Sequence, residues 1–238
     1  MSQAVIYLIP SQLDESGFDA IPGYTTDAVK KCQVFFAENE RTARRFLKKL
    51  WKVYLPGQEI VIDDYEWVTI ADESATHNLF KQKINEGKTI GIISEAGCPG
   101  IADPGQQLVA IAHKMNAKVN PLVGPSSILL ALMASGMNGQ QFQFIGYLPI
   151  KQPERNKAIK ELETASAKNN CTQIFIETPY RNNQLLETLL NVCAPATRLC
   201  IAADITGENQ SIKTLTIAEW NNHKTDMHKR PAIFLLQV

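Results

Sequence analysis

The sequence predicts an α/β protein whose strands are largely parallel, and three observations carry that prediction. Short β-branched runs alternate with stretches of helical periodicity along the chain, as β-α-β units require. The clearest run, Thr89–Ser94 (TIGIIS), is apolar almost throughout, in the manner of a strand buried on both faces. Distinctive loops come directly after strands, where ligands of open α/β sheets collect.

The first strand is Ala4–Ile9 (AVIYLI), followed by a helix that includes Thr26–Lys31 and a strand at Gln33–Ala37. Arg41–Leu50 carries Phe46, Leu47 and Leu50 with basic residues between them, which suits an amphipathic helix. Glu59–Ile62 is a further strand candidate, and Ser74 is placed to cap a helix running through Ile84. After TIGIIS come a helix at Gln106–Met115, a strand at Lys118–Val123 and a strongly apolar helix at Ser127–Ser135. The second half continues with strand Gln143–Tyr147, charged helix Glu154–Lys168, strand Thr172–Glu177 and helix Tyr180–Val192. Leu199–Asp204 and Ile233–Val238 are strands, and the imperfect alternation of Ser211–Ile217 suits an antiparallel one. Composition alone places a linker at Leu148–Pro153.

A length of 238 residues accommodates one large or two small domains. Hydrophobic residues make up 45% and charged residues 20%, enough for a core and without the signature of disorder. Lys+Arg and Asp+Glu balance at 24 each, which excludes a uniformly basic surface but not a local basic patch. The five cysteines (Cys32, Cys98, Cys171, Cys193, Cys200) are odd in number and lack C-x-x-C spacing, so a reducing cytoplasm fits better than disulfides or a zinc site. The opening MSQAVIYLIP is too short and too lacking in positive charge for a signal peptide or membrane span.

The loop after TIGIIS, Glu95–Gly105 (EAGCPGIADPG), holds three glycines and two prolines in eleven residues. It serves either as a rigid strand-to-helix turn or as a place where backbone amides approach a ligand without Cβ interference. Its position at the carboxyl end of a strand favours the ligand. Gly124–Ser127 (GPSS) precedes the apolar helix, where Ser126 or Ser127 acts as an N-cap, alone or with neighbouring amides facing a ligand. The third loop, Ile9–Ser16 (IPSQLDES), says little by itself.

No G-x-G-x-x-G, H-E-x-x-H or G-x-S-x-G occurs, and Gly87-Lys88-Thr89 lacks the first glycine of a P-loop. The histidines (His77, His113, His223, His228) are scattered, and no metal site is expected. Cys98 has no nearby His in sequence and reads as pocket lining rather than nucleophile.

At these loops the sequence resembles the tetrapyrrole (corrin/porphyrin) methylase superfamily, above all its branch that methylates the ribose 2′-hydroxyl of a cytidine in small-subunit ribosomal RNA. The branch pattern S-D-A-G-x-P-x-x-x-D-P-G, then P-x-x-G-P-[SC]-[AS], is met by Ser94, Ala96, Gly97, Pro99, Asp103, Pro104 and Gly105, then by Gly124, Pro125 and Ser126. Phe144–Pro149 looks like the branch's F-x-G-[FY]-L-P, with Lys151 and Arg155 where it is basic, and Phe175–Arg181 (FIETPYR) is similar to F-Y-E-S-x-x-R. Departures stand at Pro10–Ser16 against P-T-P-I-G-N-L, Glu38–Arg41 against E-D-T-R, and Glu95 against Asp. Ala203–Glu208 takes the place of A-R-E-L-T-K, and Arg230-Pro231 that of G-E.

The resemblance implies a two-lobed class III methyltransferase-like fold, with a parallel-sheet lobe over 1–123 and a mixed-sheet lobe over 124–238. It implies a homodimer, and S-adenosylmethionine held in the cleft between the lobes, leaving as S-adenosylhomocysteine. Ile9, Pro10, Glu95, Ala96, Gly97 and Cys98 are implied cofactor contacts, as are Ser126, Ser127, Ile128, Ile176 and Glu177. Ala203, Asp204, Pro231 and Ala232 complete the set. Glu38 and Arg41, at the E-D-T-R positions, are the implied catalytic pair; a surface ion pair is the plainer reading of the two. Arg41, Arg44, Arg45, Lys48 and Lys49 form a basic helix face that serves either solvation or ribosomal RNA. Three functions are compatible with these residues: methylation of ribosomal RNA, methylation of a tetrapyrrole or other small-molecule or protein acceptor, and cofactor binding without catalysis.

Overall fold

A computed structural model describes residues 3–70 and 73–238. The chain divides into two compact units, Met1–Gln12 with Phe18–Pro125, and Leu13–Gly17 with Ser126–Val238.

The first unit alternates β1 (Val5–Ile9), α1 (Thr25–Lys31), β2 (Val34–Ala37), α2 (Glu40–Tyr54), β3 (Glu66–Thr69), α3 (Glu73–Asn85), β4 (Thr89–Ile93), α4 (Gly105–Lys114) and β5 (Lys118–Pro121). Its strands form one five-stranded sheet in the order β3-β2-β4-β1-β5, every pair parallel. The pleat sends alternate side chains to opposite faces. Ile9, Phe35, Ala37 and Ile93 meet α1 and α2 on one face. Ile6, Val34, Phe36, Ile90 and Ile92 meet α3 and α4 on the other. Burial on both faces explains why TIGIIS carries no polar alternation.

The second unit contains α5 (Ser127–Ser135), β6 (Phe142–Tyr147), α6 (Gln152–Asn169), β7 (Thr172–Ile176), α7 (Asn182–Val192), β8 (Arg198–Ala203), β9 (Ser211–Thr216), α8 (Ile217–Trp220) and β10 (Ala232–Gln237). The sheet order is β6-β7-β10-β8-β9. β6 and β7 are parallel, whereas β10 runs antiparallel to β7 and β8, and β9 antiparallel to β8, so the sheet is mixed. Helix α5 covers one face with Ala131 and Leu132, over Ile174, Ala202 and Leu235. The α6 and α7 side chains Ile159, Leu185 and Leu189 cover the other, over Phe175, Leu199 and Phe234.

Several local expectations are corrected. Glu59–Ile62 is not a strand; the chain there turns through a short 3-10 segment at Ile62–Asp64, and the edge strand is Glu66–Thr69. Trp67 decides the register, because its ring stacks on Phe35 at 4.9 Å and its indole N–H donates to the Ile62 carbonyl at 3.0 Å. Ser74 lies inside α3 rather than capping it, and the residue before Glu73 is outside the described range. Helix α2 starts one residue earlier than expected and runs four further, with the Asn39 side chain accepting from the Thr42 amide. Leu148–Pro153 is no linker between units but leads into α6, with Pro153 in its first turn, where a missing N–H costs nothing.

Gly91 sits mid-strand in β4, where a Cβ would lie 2.5 Å from Phe35 Cδ1 and 2.9 Å from Ile9 Cδ1. Gly91→Ala is therefore expected to overpack the sheet and cost roughly 1–3 kcal/mol. Urea unfolding measures it: the midpoint falls at unchanged slope, and a wild-type midpoint would contradict this packing.

Candidate active site

In the first unit, β1 and β2 hand the chain to helices on one face of the sheet, whereas β4 hands it to α4 on the other. β4 lies between β1 and β2, so the loops leaving its carboxyl end and theirs turn apart. Such a divergence opens a crevice, the usual ligand position in open parallel sheets. The Gly-rich loop fills its rim.

That loop is held by its own chain. Ser11 and Gly97 exchange two backbone hydrogen bonds, at 2.9 and 3.1 Å, although β1 has already ended. The buried Ser11 hydroxyl donates to the Ser94 carbonyl at 2.6 Å, and the Ser94 hydroxyl donates to the Gly97 carbonyl at 3.2 Å. Gly97 has φ +74°, a conformation that glycine adopts freely. Both Asp103 oxygens accept from the Gly100 amide at 2.9 Å, and Oδ1 also accepts from the Gly105 amide at 2.7 Å, where α4 begins. A Cβ on Gly124 would lie 2.1 Å from Pro10 Cβ, so the chain after β5 approaches the end of β1 as only glycine permits. Glu95 and Ala96 are left exposed, while Ile9, Pro10 and Gly97 are buried.

Three carboxylates gather around this loop. Glu38, at the end of β2, accepts the Glu95 amide at 2.7 Å. Burial raises the Glu38 pKa above its ordinary value; the Glu95 amide lowers it, and the Asp103 and Glu95 charges add to the rise. Burial also raises Asp103, with its two backbone bonds working in the opposite direction. Glu38 and Arg41 form no ion pair with one another, so the plainer reading of that pair fails. Arg41 is exposed and lines a groove of about 540 Å³ with Glu40, Arg44, Arg45 and Lys48. The Cys98 thiol faces the Pro125 and Gly124 carbonyls at 3.4 and 3.7 Å, and burial pushes its pKa up. A thiol held protonated is lining, not nucleophile.

The second unit brings the other expected contacts to one end of its sheet. Ala203 pairs with Ala232, and Ile176 with Ile233, so Glu177, Asp204 and Pro231 leave the sheet on the same side. Glu177 is spoken for: its buried carboxylate accepts Arg181 at 2.6 and 3.0 Å and the Thr178 amide at 2.7 Å. Asp204, at φ +50°, accepts Arg230 Nε at 2.6 Å, and its own amide donates to the Pro231 carbonyl at 2.9 Å. Ser126 has extended N-cap geometry before α5 but makes no side-chain cap bond, so capping does not account for its hydroxyl. Ser127 and Ile128 open the helix half-buried.

The residue that sequence reasoning passed over is Ser11. Its signal, a serine two positions beyond a buried strand, points to the clamp only once β4 is known to lie beside β1. Among the described residues, no group of three or more His, Cys, Asp or Glu side chains could hold a metal, and no helix is long and apolar enough to cross a membrane. All five cysteines are free.

A parallel-sheet unit and a mixed-sheet unit, each five-stranded, define a class III methyltransferase fold. The solved methyltransferase CobJ shares it, with a TM-score of 0.62 at 16% identity, covering 100% of this chain and 94% of that one. The family described as Tetrapyrrole (Corrin/Porphyrin) Methylases matches residues 25–221, and the chain belongs to it as a methyltransferase. Ribosomal RNA small subunit methyltransferase I of Bacillus subtilis is 30% identical over 224 residues, covering 92% of this chain and 70% of the relative. The Helicobacter pylori protein of that name is 31% identical over 216 residues, covering 87% of this chain and 72% of its own length.

Asp103→Ala strands the Gly100 and Gly105 amides and is expected to destabilise the chain by roughly 1–3 kcal/mol. Denaturant unfolding reads this directly; an unchanged midpoint would mean that the carboxylate does not hold the loop.

Proposed function

We propose that the chain is a cytoplasmic, homodimeric S-adenosylmethionine-dependent methyltransferase acting on the ribose 2′-hydroxyl of a cytidine in small-subunit ribosomal RNA. The observation that carries this reading is the clamped Gly-rich loop at the carboxyl end of β4, with Glu38 bonded to it. The relatives named ribosomal RNA small subunit methyltransferase I support the acceptor. Exposed apolar side chains on α5 (Leu129, Met133) and β6 (Phe142, Tyr147) support a second copy as partner.

The residues suit the cofactor. The left-handed φ at Gly97 leaves Glu95 and Ala96 exposed at the apex of the loop, where main chain is open to a ligand, and the Ser126 hydroxyl is not consumed by capping. Ile9, Pro10, Glu95, Ala96, Gly97 and Cys98 hold it from the first unit. Ser126, Ser127, Ile128, Ile176, Glu177, Ala203, Asp204, Pro231 and Ala232 hold it from the second. Glu177 and Asp204 contribute main chain, because their carboxylates are paired with Arg181 and Arg230. When bound, S-adenosylmethionine supplies a methyl group on a positively charged sulfur. The protein contributes orientation, which is worth up to ~7–11 kcal/mol in ideal cases. Glu38 takes the proton of the acceptor hydroxyl, and Arg41 meets the adjoining phosphate.

Calorimetric titration with S-adenosylmethionine and S-adenosylhomocysteine is the first test. Micromolar binding is expected and is lost in Ser127→Phe; absence of binding would sink the cofactor assignment. Transfer to small ribosomal subunits lacking the modification tests the rest. Glu38→Gln and Arg41→Ala abolish transfer and keep cofactor binding. A base acts only when ionised, and burial raises the Glu38 pKa from its ordinary value, so wild-type transfer declines as pH falls through that raised value. A pH profile flat across that region, or full turnover in Glu38→Gln, would remove Glu38 from the base role.

A further inference from the structure

The chain carries no net charge, yet α2 concentrates six basic residues (Arg41, Arg44, Arg45, Lys48, Lys49, Lys52) against one acid, Glu40. Exposure divides the six: Arg44 and Lys49 are half-buried and the other four are exposed. Arg44 is neutralised by Glu40 at 2.8 Å and Asp63 at 2.7 Å, and its guanidinium lies over the Trp67 ring. Lys49 lies with its ammonium 4.8 Å from the Phe18 ring centroid. Arg41, Arg45, Lys48 and Lys52 are all exposed. They follow one another at intervals of four, three and four residues, which sets them in a single row along the helix. Neighbours in such a row stand about 5–6 Å apart, and the rise from Arg41 to Lys52 is about 16 Å.

Two grooves follow the row. The first, about 540 Å³, is lined by Arg41, Arg45 and Lys48 with Arg44 and its ion-pair partner Glu40; the second, about 700 Å³, by Lys48, Lys52, Leu55 and Ile60, with Glu59 at its far end in sequence. They share Lys48, and so adjoin. The opposite side of α2 (Phe46, Leu47, Leu50, Trp51) is buried in the core, which leaves no apolar face to enter a lipid surface. A row of cations several charges long beside two adjoining grooves fits a flexible strand of regularly spaced anions rather than a single phosphate.

We infer that Arg45, Lys48 and Lys52 form a phosphate track for single-stranded RNA, leading from Arg41 along α2 away from the carboxyl end of β2. The inference rests on the RNA reading above and deepens it: the track binds the acceptor strand outside the reacting nucleotide. It supplies position and affinity without sequence preference, because phosphates carry none.

The test is fluorescence anisotropy of the full chain with a labelled single-stranded RNA oligonucleotide of mixed sequence, across a salt series. Each phosphate neutralised on a single strand contributes about 0.7 to the slope of log K against log salt. Arg45→Gln/Lys48→Gln/Lys52→Gln is expected to make that slope shallower by about 2 and to weaken different sequences alike. It stays folded, as circular dichroism reads, and its S-adenosylhomocysteine affinity stays at the wild-type value. The control Lys157→Gln/Lys168→Gln/Lys224→Gln, on exposed positions of the second unit, leaves the slope unchanged. RNA binding with the same slope in the α2 triple variant, or an equal loss in the control, would overturn the track while the RNA reading stands. A wild-type chain that binds S-adenosylhomocysteine but no RNA would overturn both.

Discussion

The exchange of two backbone hydrogen bonds between Ser11 and Gly97 is the constraint on which the first unit's chemistry depends. A parallel sheet pairs strands only as far as the shorter one runs, and beyond that point each loop is free to diverge. Here β1 and β4 pair through Ile9 and Ile93, after which the chains would part to opposite faces. The Ser11–Gly97 pair closes them again after the sheet has ended, and the Ser11 and Ser94 hydroxyls tie off the carbonyls between. Each bond is worth on the order of 1 kcal/mol net, but their joint effect is geometric. They fix Glu95 and Ala96 at an exposed apex while the backbone behind them stays buried. The left-handed conformation at Gly97 follows, since an L side chain there would cost roughly 1–2 kcal/mol.

Much of this was legible in the chain. TIGIIS announced a doubly buried strand, and Ser127–Ser135 was read as a helix with the bounds the structure gives it. The EAGCPGIADPG and GPSS loops were recognisable because glycine and proline act locally, through φ and through the missing Cβ. What stayed hidden was long-range. Glu38 meets the Glu95 amide across 57 positions, and nothing near either residue announces it. β-propensity points to the Ile-Val-Ile run of Glu59–Ile62 rather than to the edge strand Glu66–Thr69, because the aromatic stack of Trp67 on Phe35 exists only in three dimensions. Lys52 lies outside the basic face that the sequence outlines, because the helix predicted from the sequence ends at Leu50, two residues before the last cation of α2.

Departures from the family pattern also gain meaning in pairs. Asp204 stands where the pattern has Arg and Arg230 where it has Gly, and singly each looks like a loss. In the structure they meet at 2.6 Å, and Arg230 Nη2 reaches the Asn209 carbonyl at 2.9 Å. The turn after β8, with positive φ at Asp204 and Thr206, is thereby held to the residue that leads into β10. The FIETPYR segment behaves likewise. Its Glu177 and Arg181 carry a mutual ion pair that shapes the loop after β7, so these side chains act by positioning main chain rather than by presenting charge.

A neutral total charge conceals a first unit with two opposite surfaces, and one short junction sets both. Strand β2 ends by projecting Glu38 toward the loop after β4, where burial and neighbouring carboxylates favour its protonated form. Asn39 then caps α2 where the helix begins, in the rotational phase that burial of its apolar side selects. With that phase, Phe46, Leu47, Leu50 and Trp51 face the core, and the row from Arg41 to Lys52 faces solvent. Shifting the helix by one residue against the core would turn every side chain by about 100°, burying cations and exposing the core face. The apolar side thus holds the basic side in place: hydrophobic burial, the larger energy, selects the phase, and the positions of the cations follow from it. Acid at the strand end and base along the helix are consequences of a single register.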